Sequence, residues 1–290
     1  MIETGEISKI AIITPVKDEI ENLDRFFNHI SQLSIPIYTL VIVENDSVDG
    51  TKEYLKKKKN PENINNFEVL NINFEDKSYD LEFKYAEIID KGLHYLRKQN
   101  YYHELKYVGI LDSDVFPEPN YYSKLINFLT NNPKVGITSG IIYTLQGKKH
   151  VVAKNWVRGG CRLWKKECLD QTGFPIAPSP DAISVALAEI SGWRALTVND
   201  AKVYSREVGE RMKNFKTFGS RVYYRGSTPF FAILKSFYHI FIEFRIKVGV
   251  DFLRGYFNDF FSNKPRIENI KVKEYYRKYL YKKIKDIFIH

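Results

Sequence analysis

Two aspartates separated by a serine, Asp112-Ser113-Asp114, follow directly on the apolar run Tyr107-Val108-Gly109-Ile110-Leu111. Two carboxylates at that spacing can hold a hard divalent cation between them and a diphosphate. An Asp-x-Asp is common in solvated loops, so position decides its meaning. At the end of a buried strand, two neighbouring negative charges are costly unless something positive is bound. A second polar cluster, Glu44-Asn45-Asp46-Ser47-Val48-Asp49-Gly50-Thr51, closes another apolar run. A carboxylate at such a strand tip can accept hydrogen bonds from a base N–H or from ribose hydroxyls. The same stretch also makes a turn and a helix cap, with Asp49 or Thr51 capping and Gly50 permitting the bend. Glu44 is therefore assigned to a ligand and the rest mainly to the turn. A third cluster, residues 14–19, follows the first apolar run.

The elements that must position these clusters are legible from periodicity. Residues 7–14, 38–43, 67–72 and 107–111 are short apolar runs of buried-strand type. Between them lie helical patterns at 19–33, with Leu23, Phe26, Phe27 and Ile30 on one side, at 51–59, and at 81–99. Such alternation predicts a parallel sheet with crossover helices, and ligands of such sheets bind at the carboxyl ends of the strands. All three polar clusters fall at those ends. Further on, a helix is expected over 121–129, strands over 135–143 and 156–164, a Pro-rich loop over 173–180 and a helix over 182–191. A long aromatic-rich helical stretch is expected over 228–261, followed by a basic tail over 271–285.

The chain has 290 residues, 44% hydrophobic and 27% charged, which suits a folded protein with a substantial core. The net charge of +9 is compatible with nucleic acid, an anionic membrane surface or phosphorylated substrates. Cys161 and Cys168 are too few for a disulfide scaffold, and no Cys/His cluster has zinc spacing; both are expected to be reduced thiols. No apolar leader opens the sequence and no window has the length of a spanning helix, so a cytoplasmic location, with the membrane inner face as a docking surface, is the expectation. Asn45-Asp46-Ser47 fits the N-glycosylation pattern but is given no weight without a secretory signal.

Taken as an ordered set, the clusters resemble the family 2 inverting glycosyltransferases with the GT-A fold. The matching residues are Thr14-Pro15-Val16-Lys17-Asp18-Glu19, Glu44 to Thr51, Leu111-Asp112-Ser113-Asp114, and Arg162 to Phe174, which resembles an acceptor-side segment ending in Gly-Phe. Pro180-Asp181 stands where the family has Glu-Asp. The resemblance covers roughly residues 7–210. It implies a Rossmann-like, mostly parallel α/β sheet flanked by helices, with residues 1–115 as nucleotide-sugar half, 116–210 as acceptor half and 211–290 as a helical, basic, aromatic-rich extension. It implies a nucleotide-sugar donor, first of all a UDP-sugar, held by Thr14, Pro15, Glu44, Asp90, Asp112 and Ser113. Asp112 and Asp114 would ligate Mn2+ or Mg2+, and Asp181 would be the base that deprotonates an acceptor hydroxyl on a glycan or lipid-linked molecule.

Several positions depart from the family pattern. Glu44 replaces the commoner Asp, Pro180 replaces Glu, and Ser205 stands where many members have a metal-binding His. Asp90 stands where the family often has Asn, with a helix-surface role as its other reading. Gly159 and Gly160 either allow close approach of the sugar or mark a bulge; Trp156 and Trp164 divide between sugar stacking and core packing.

In the C-terminal stretch Leu234, Phe237, Phe241, Phe244 and Val248 recur at helical spacing, and Lys235, His239, Glu243, Lys247 and Asp251 follow every fourth residue, with Glu243 and Lys247 placed for an ion pair. Two readings stay open: a helix in an anionic membrane interface, or a helix packed on the catalytic domain or a partner subunit. Two rivals for the whole chain are kept as well. A phosphatase of the haloacid dehalogenase type would use Asp112 as nucleophile and Asp114 as acid/base. A non-catalytic basic protein binding a membrane or nucleic acid explains the charge but leaves three polar strand ends unaccounted for, so no nucleic-acid partner is expected.

Overall fold

The structure, a computed structural model, describes residues 9–74, 83–149, 156–205 and 215–288, without the side chains of residue 280 and residues 282–288. The starts of the first expected strand and of the third expected helix, residues 7–8 and 81–82, lie outside the described residues. The chain forms two compact units, one of residues 1–176 with 191–207 and the other of residues 177–190 with 208–290.

The first unit opens with β1 (Ile10–Val16), α1 (Ile20–Ser31), β2 (Ile37–Asn45), α2 (Thr51–Lys57), β3 (Ile64–Ile72), α3 (Phe83–Arg97) and β4 (Tyr107–Ile110). It continues with β5 (Val115–Pro117), α4 (Tyr121–Asn131), β6 (Val135–Thr144), β7 (Arg162–Lys165) and α5 (Lys166–Thr172). After α6 (Pro180–Ile190), which belongs to the second unit, the chain returns for β8 (Arg194–Ser205). The eight strands make one sheet in the order β3-β2-β1-β4-β7-β6-β8-β5. Its first four strands are parallel neighbours, β7 runs antiparallel to β4 and β6, β8 lies parallel to β6, and β5 caps the edge antiparallel to β8. The α/β class and the parallel character of its N-terminal half follow the sequence pattern; the remainder is mixed.

Near-continuous apolar runs in β1 and β2 are buried on both faces, as strands covered by helices must be. Leu23, Phe26, Phe27 and Ile30 of α1 are buried together with Ile10, Ile12 and Leu40, so the helical stripe expected from their spacing is the one used. Gly92 seats α3 on the sheet, because a Cβ there would press on Ile13 and Val43.

Two expectations need correction. The strand expected over 156–164 is confined to Arg162–Lys165. Upstream the chain coils, since the Arg158 amide donates to Ser139 Oγ at 2.9 Å and the Arg162 side chain donates back to the Arg158 carbonyl at 3.0 Å. The basic tail forms α10 (Ile270–Phe288), whose Val272 and Tyr276 pack on Ala182, Ile183 and Ala186 of α6.

The second correction is the larger. The helix expected over 228–261 is a hairpin: α8 (Pro229–Phe237), a π turn over Tyr238–Ile242, a break, and α9 (Ile246–Phe261), preceded by α7 (Phe215–Tyr224). Thr228 caps α8 by accepting from the Phe231 amide, and Pro229 takes the first helical position. The reversal closes through the Arg245 amide donating to the His239 carbonyl at 2.8 Å, with Phe244 at φ +54°. Reversal lets Phe252 and Tyr256 bury against Val222, Tyr223 and Ala232, a packing one straight helix would forgo. It also undoes the expected Glu243–Lys247 ion pair, and Glu243 meets His239 at 2.7 Å and Arg245 at 3.7 Å instead. Among the described residues no helix is long and apolar enough to cross a membrane.

Candidate active site

The ends of β1, β2 and β4 open at one edge of the first unit because the three strands are parallel neighbours. Residue 14 pairs with Ile42 and Val16 with Glu44, so Thr14 and Glu44 are diagonal neighbours on one face of the sheet. Thr14 is fully buried and its Oγ1 has no hydrogen-bond partner. Glu44 is fully buried as well; its Oε1 accepts from the Ser47 amide at 2.7 Å, while its Oε2 has no partner. Asn45, which the sequence pattern assigned to the turn, is also buried with an unpaired Oδ1. Each such unpaired buried acceptor costs about 1–3 kcal/mol, so three of them at the neighbouring ends of β1 and β2 suit a ligand that supplies donors.

The loops after β1 and β2 are laced to each other. The Asp18 amide donates to Ser47 Oγ at 3.0 Å, and Asp18 Oδ1 accepts from the Val48 amide at 2.8 Å. The Glu19 amide donates to Thr51 Oγ1 at 2.9 Å. Asp49 accepts from the Thr51 amide and from the Ile20 amide, both at 3.0 Å, and so caps α2 and α1 at once. Burial pushes the Asp49 carboxyl up, but hydrogen bonds from Thr51 and Ile20 outweigh it and hold the group below the ordinary value of 3.8. The turn role expected of this cluster is thus present and spans two loops.

Asp112 and Asp114 flank the turn that follows β4, both half-buried. Three contacts set Asp112: its amide donates to the Gly160 carbonyl at 2.9 Å, its Oδ1 accepts from the Tyr85 hydroxyl at 3.1 Å, and its Oδ2 faces the bare Cα of Gly160. The glycine is needed by Asp112 rather than by a strand bulge. Ser113, expected to touch the ligand, is buried and donates its hydroxyl to the Pro15 carbonyl at 3.3 Å, tying the end of β4 to the end of β1. Ser205, in the expected histidine position, pairs across β5 and β8 with Val115, the residue after Asp114. No cluster of three or more His, Cys, Asp or Glu exists among the described residues. Asp112 and Asp114 carry hard oxygen donors, the type that Mg2+ or Mn2+ takes, and water or phosphate can complete the shell of such an ion.

The remaining candidates are spread more widely. Asp90 lies half-buried in α3 and makes no hydrogen bond or ion pair with a described residue. Trp164 is a core residue, with the buried Arg162 guanidinium 5.2 Å from its ring, while Trp156 is exposed. Asp181 stands in the second unit, in the first turn of α6 behind Pro180, a place where the helix dipole favours a carboxylate. Tyr85 and Asn45 were missed by motif spacing. Tyr85 sits in a helix with no local signal beyond its own type, and only tertiary contact brings it to Asp112.

The fold is the GT-A type. S. aureus TarS 1-349 superposes with a TM-score of 0.54 at 14% identity, covering 88% of this chain and 72% of that one. The mannosyltransferase PcManGT from Pyrobaculum calidifontis, in complex with GDP-Man and Mn2+, superposes with a TM-score of 0.55 at 15% identity, covering 97% and 81%. The sequence matches Glycosyl transferase family 2 over residues 11–177, more than half of its length, and the chain belongs to that family. It is 23% identical over 233 residues to glucomannan 4-beta-mannosyltransferase 7 of Arabidopsis thaliana, covering 70% of this chain and 40% of that relative. The chain thus spans well under half of the length of that curated relative.

Proposed function

We propose that this chain is a metal-assisted, inverting glycosyltransferase that moves a sugar from a nucleotide diphosphate to an acceptor hydroxyl. The observation that carries the reading is the pairing of two environments at neighbouring strand ends. Asp112 and Asp114 offer charge for a cation, and the unpaired buried acceptors of Thr14, Glu44 and Asn45 offer hydrogen bonds to a base and ribose. A phosphatase of the dehalogenase type has use for the first and none for the second, and family membership speaks against it.

In this reading Glu44 and Thr14 orient the nucleoside, with the Pro15 backbone beside it. Ser113 holds the two strand ends in register through Pro15, and Tyr85 fixes the Asp112 carboxylate. Asp112 and Asp114, with Ser205 or water, would hold a divalent cation, which would supply neutralisation of the leaving diphosphate. Asp181 removes the acceptor proton as the hydroxyl attacks the anomeric carbon from the face opposite the diphosphate, which inverts that centre. Asp90 contributes to nucleotide contact from α3. The acceptor is a hydroxyl of a glycan or of a lipid-linked molecule, used at an anionic membrane surface.

Solved relatives in fold bind UDP-GlcNAc and GDP-Man, so both donors are to be tested, the UDP-sugar first. Calorimetric titration with and without Mn2+ is expected to give metal-dependent binding of at least one, lost in Asp114→Ala. Metal-independent binding, or unchanged binding by Asp114→Ala, would refute the cation role; phosphate release from simple phosphomonoesters without nucleotide would favour the phosphatase.

A further inference from the structure

We propose that the tip of the α8–α9 hairpin is a wedge that inserts into the interface of an anionic lipid bilayer. The inner side of the hairpin is already satisfied. Ala232, Phe252 and Tyr256 are buried with Val222 and Tyr223, Ser236 donates its hydroxyl to the Gly249 carbonyl at 2.9 Å, and Gly249 admits Ile240 at close range. The outward side is apolar nevertheless. Phe230, Ile233, Leu234, Phe237 and Tyr238 are exposed along α8 and into the π turn. At the reversal, exposure rises to 60% for Phe241, 64% for Ile242, 85% for Phe244 and 66% for Ile246. Scattered apolar residues on a surface need no explanation, but a contiguous run of this kind does.

Backbone strain marks the same point. Phe244 holds φ +54°, a left-handed conformation that a bulky residue rarely takes, and it is the most exposed residue of the run. A turn chosen for stability alone would place glycine or asparagine there.

Charge decides what covers the face. Residues 208–290 hold 18 of the 44 Lys and Arg but only 7 of the 35 Asp and Glu, so the positive surplus of the whole chain lies in this segment. Arg245 and Lys247 are exposed beside the apolar tip, and Arg254 is exposed further along α9. Aromatic and aliphatic side chains flanked by Lys and Arg match the boundary between acyl chains and anionic headgroups. A second copy of the chain would instead bring like charges together, which opposes pairing through this face. The apolar stretch is too short to span, so insertion is interfacial.

The inference deepens the membrane-surface part of the proposed function, yet it does not depend on sugar chemistry. Full-length protein is sedimented with phosphatidylglycerol vesicles and with phosphatidylcholine vesicles. The expected result is pelleting with the former, weakened by salt, and a bound fraction about tenfold lower for the double variant Phe241→Ser, Phe244→Ser. Circular dichroism of that variant should match the parent, since both side chains are exposed. A second variant, Phe244→Trp, reports insertion by a blue shift of its emission when phosphatidylglycerol vesicles are added. Asp114→Ala should pellet like the parent, which separates failure of this inference from failure of the donor-site reading. Equal pelleting on both lipids, equal pelleting by the double serine variant, or no shift from Trp at 244 would overturn the wedge. A lipid-free dimer dispersed by the serine pair would assign the face to self-association instead.

Discussion

Gly160 lies with its bare Cα against the carboxylate of Asp112 while its carbonyl accepts the Asp112 amide at 2.9 Å. One backbone position therefore holds the candidate metal ligand from two sides. A Cβ added at residue 160 would run into Asp112 Oδ2. Gly160→Ala is expected to displace the carboxylate, at a cost of about 1–3 kcal/mol for overpacking, and to weaken Mn2+-dependent donor binding by about tenfold or more. Isothermal titration, beside a melting curve to separate site damage from loss of fold, checks this.

Tyr85 donates to the other oxygen of Asp112. Tyr85→Phe keeps the ring and removes the hydroxyl, a loss of about 1 kcal/mol for a half-buried bond. Metal affinity should fall several-fold with little change in secondary structure. An unchanged affinity, measured by Mn2+ titration, would leave Tyr85 as a packing residue only.

Asp49 ties the start of α1 to the start of α2. Its carboxyl sits below the ordinary value of 3.8 in the folded chain, so the stability it contributes is present above that value and is lost as pH falls through the lowered one. Asp49→Asn keeps one acceptor oxygen and sets an NH2 donor against the other amide, so it is expected to destabilise the protein by about 1 kcal/mol at neutral pH, as loss of one hydrogen bond to a charged group does. The difference between parent and variant should shrink under acid, below the unfolded carboxylate's titration. Urea unfolding of both at neutral and acid pH measures it; a gap that widens in acid would contradict the assignment.

Cys161 and Cys168 are free and buried, and burial pushes both thiols up to about 12. Thiolate is the reactive form, so neither should react with a disulfide reagent in the native state at neutral pH. Labelling should proceed at the rate of unfolding and become immediate in denaturant, followed by absorbance of the released thiolate.

Asp181→Asn tests the proposed base. Donor binding should persist while transfer falls by orders of magnitude, within the range of about 100-fold to 10,000-fold that general base catalysis contributes. Retention of full transfer, assayed by release of the nucleoside diphosphate, would remove Asp181 from the reaction.

Much of the first unit was legible in the sequence because local and global preferences agree there. Buried strands such as β1 and β2 are apolar along their length, and α1 shows its stripe in the spacing of Leu23, Phe26, Phe27 and Ile30. The polar clusters had to lie at the ends of those strands, and parallel pairing brings the ends to one edge. The second half was less legible. β5 has three residues and β7 four, too short for a period to register, and the antiparallel insertion of β7 between β4 and β6 depends on contacts far apart in sequence. Residues 228–261 misled because a helical repeat is indifferent to a reversal in its middle. Phe244 carries no sequence mark of a turn.

By itself, then, the sequence determined the strand–helix alternation, the carboxylate pair after β4 and the acidic tip of β2, since each is written within a few neighbouring residues. Only the tertiary structure decided what surrounds them. Gly160 and Tyr85 reach Asp112 from 48 and 27 positions away, Ser113 is spent on Pro15, and Ser205 pairs with Val115, next to Asp114 in the chain, across β5 and β8. The physical reason is the reach of the forces involved. Periodic burial and turn chemistry act between near neighbours, whereas a carboxylate's orientation is set by whichever distant segments close packing delivers to it.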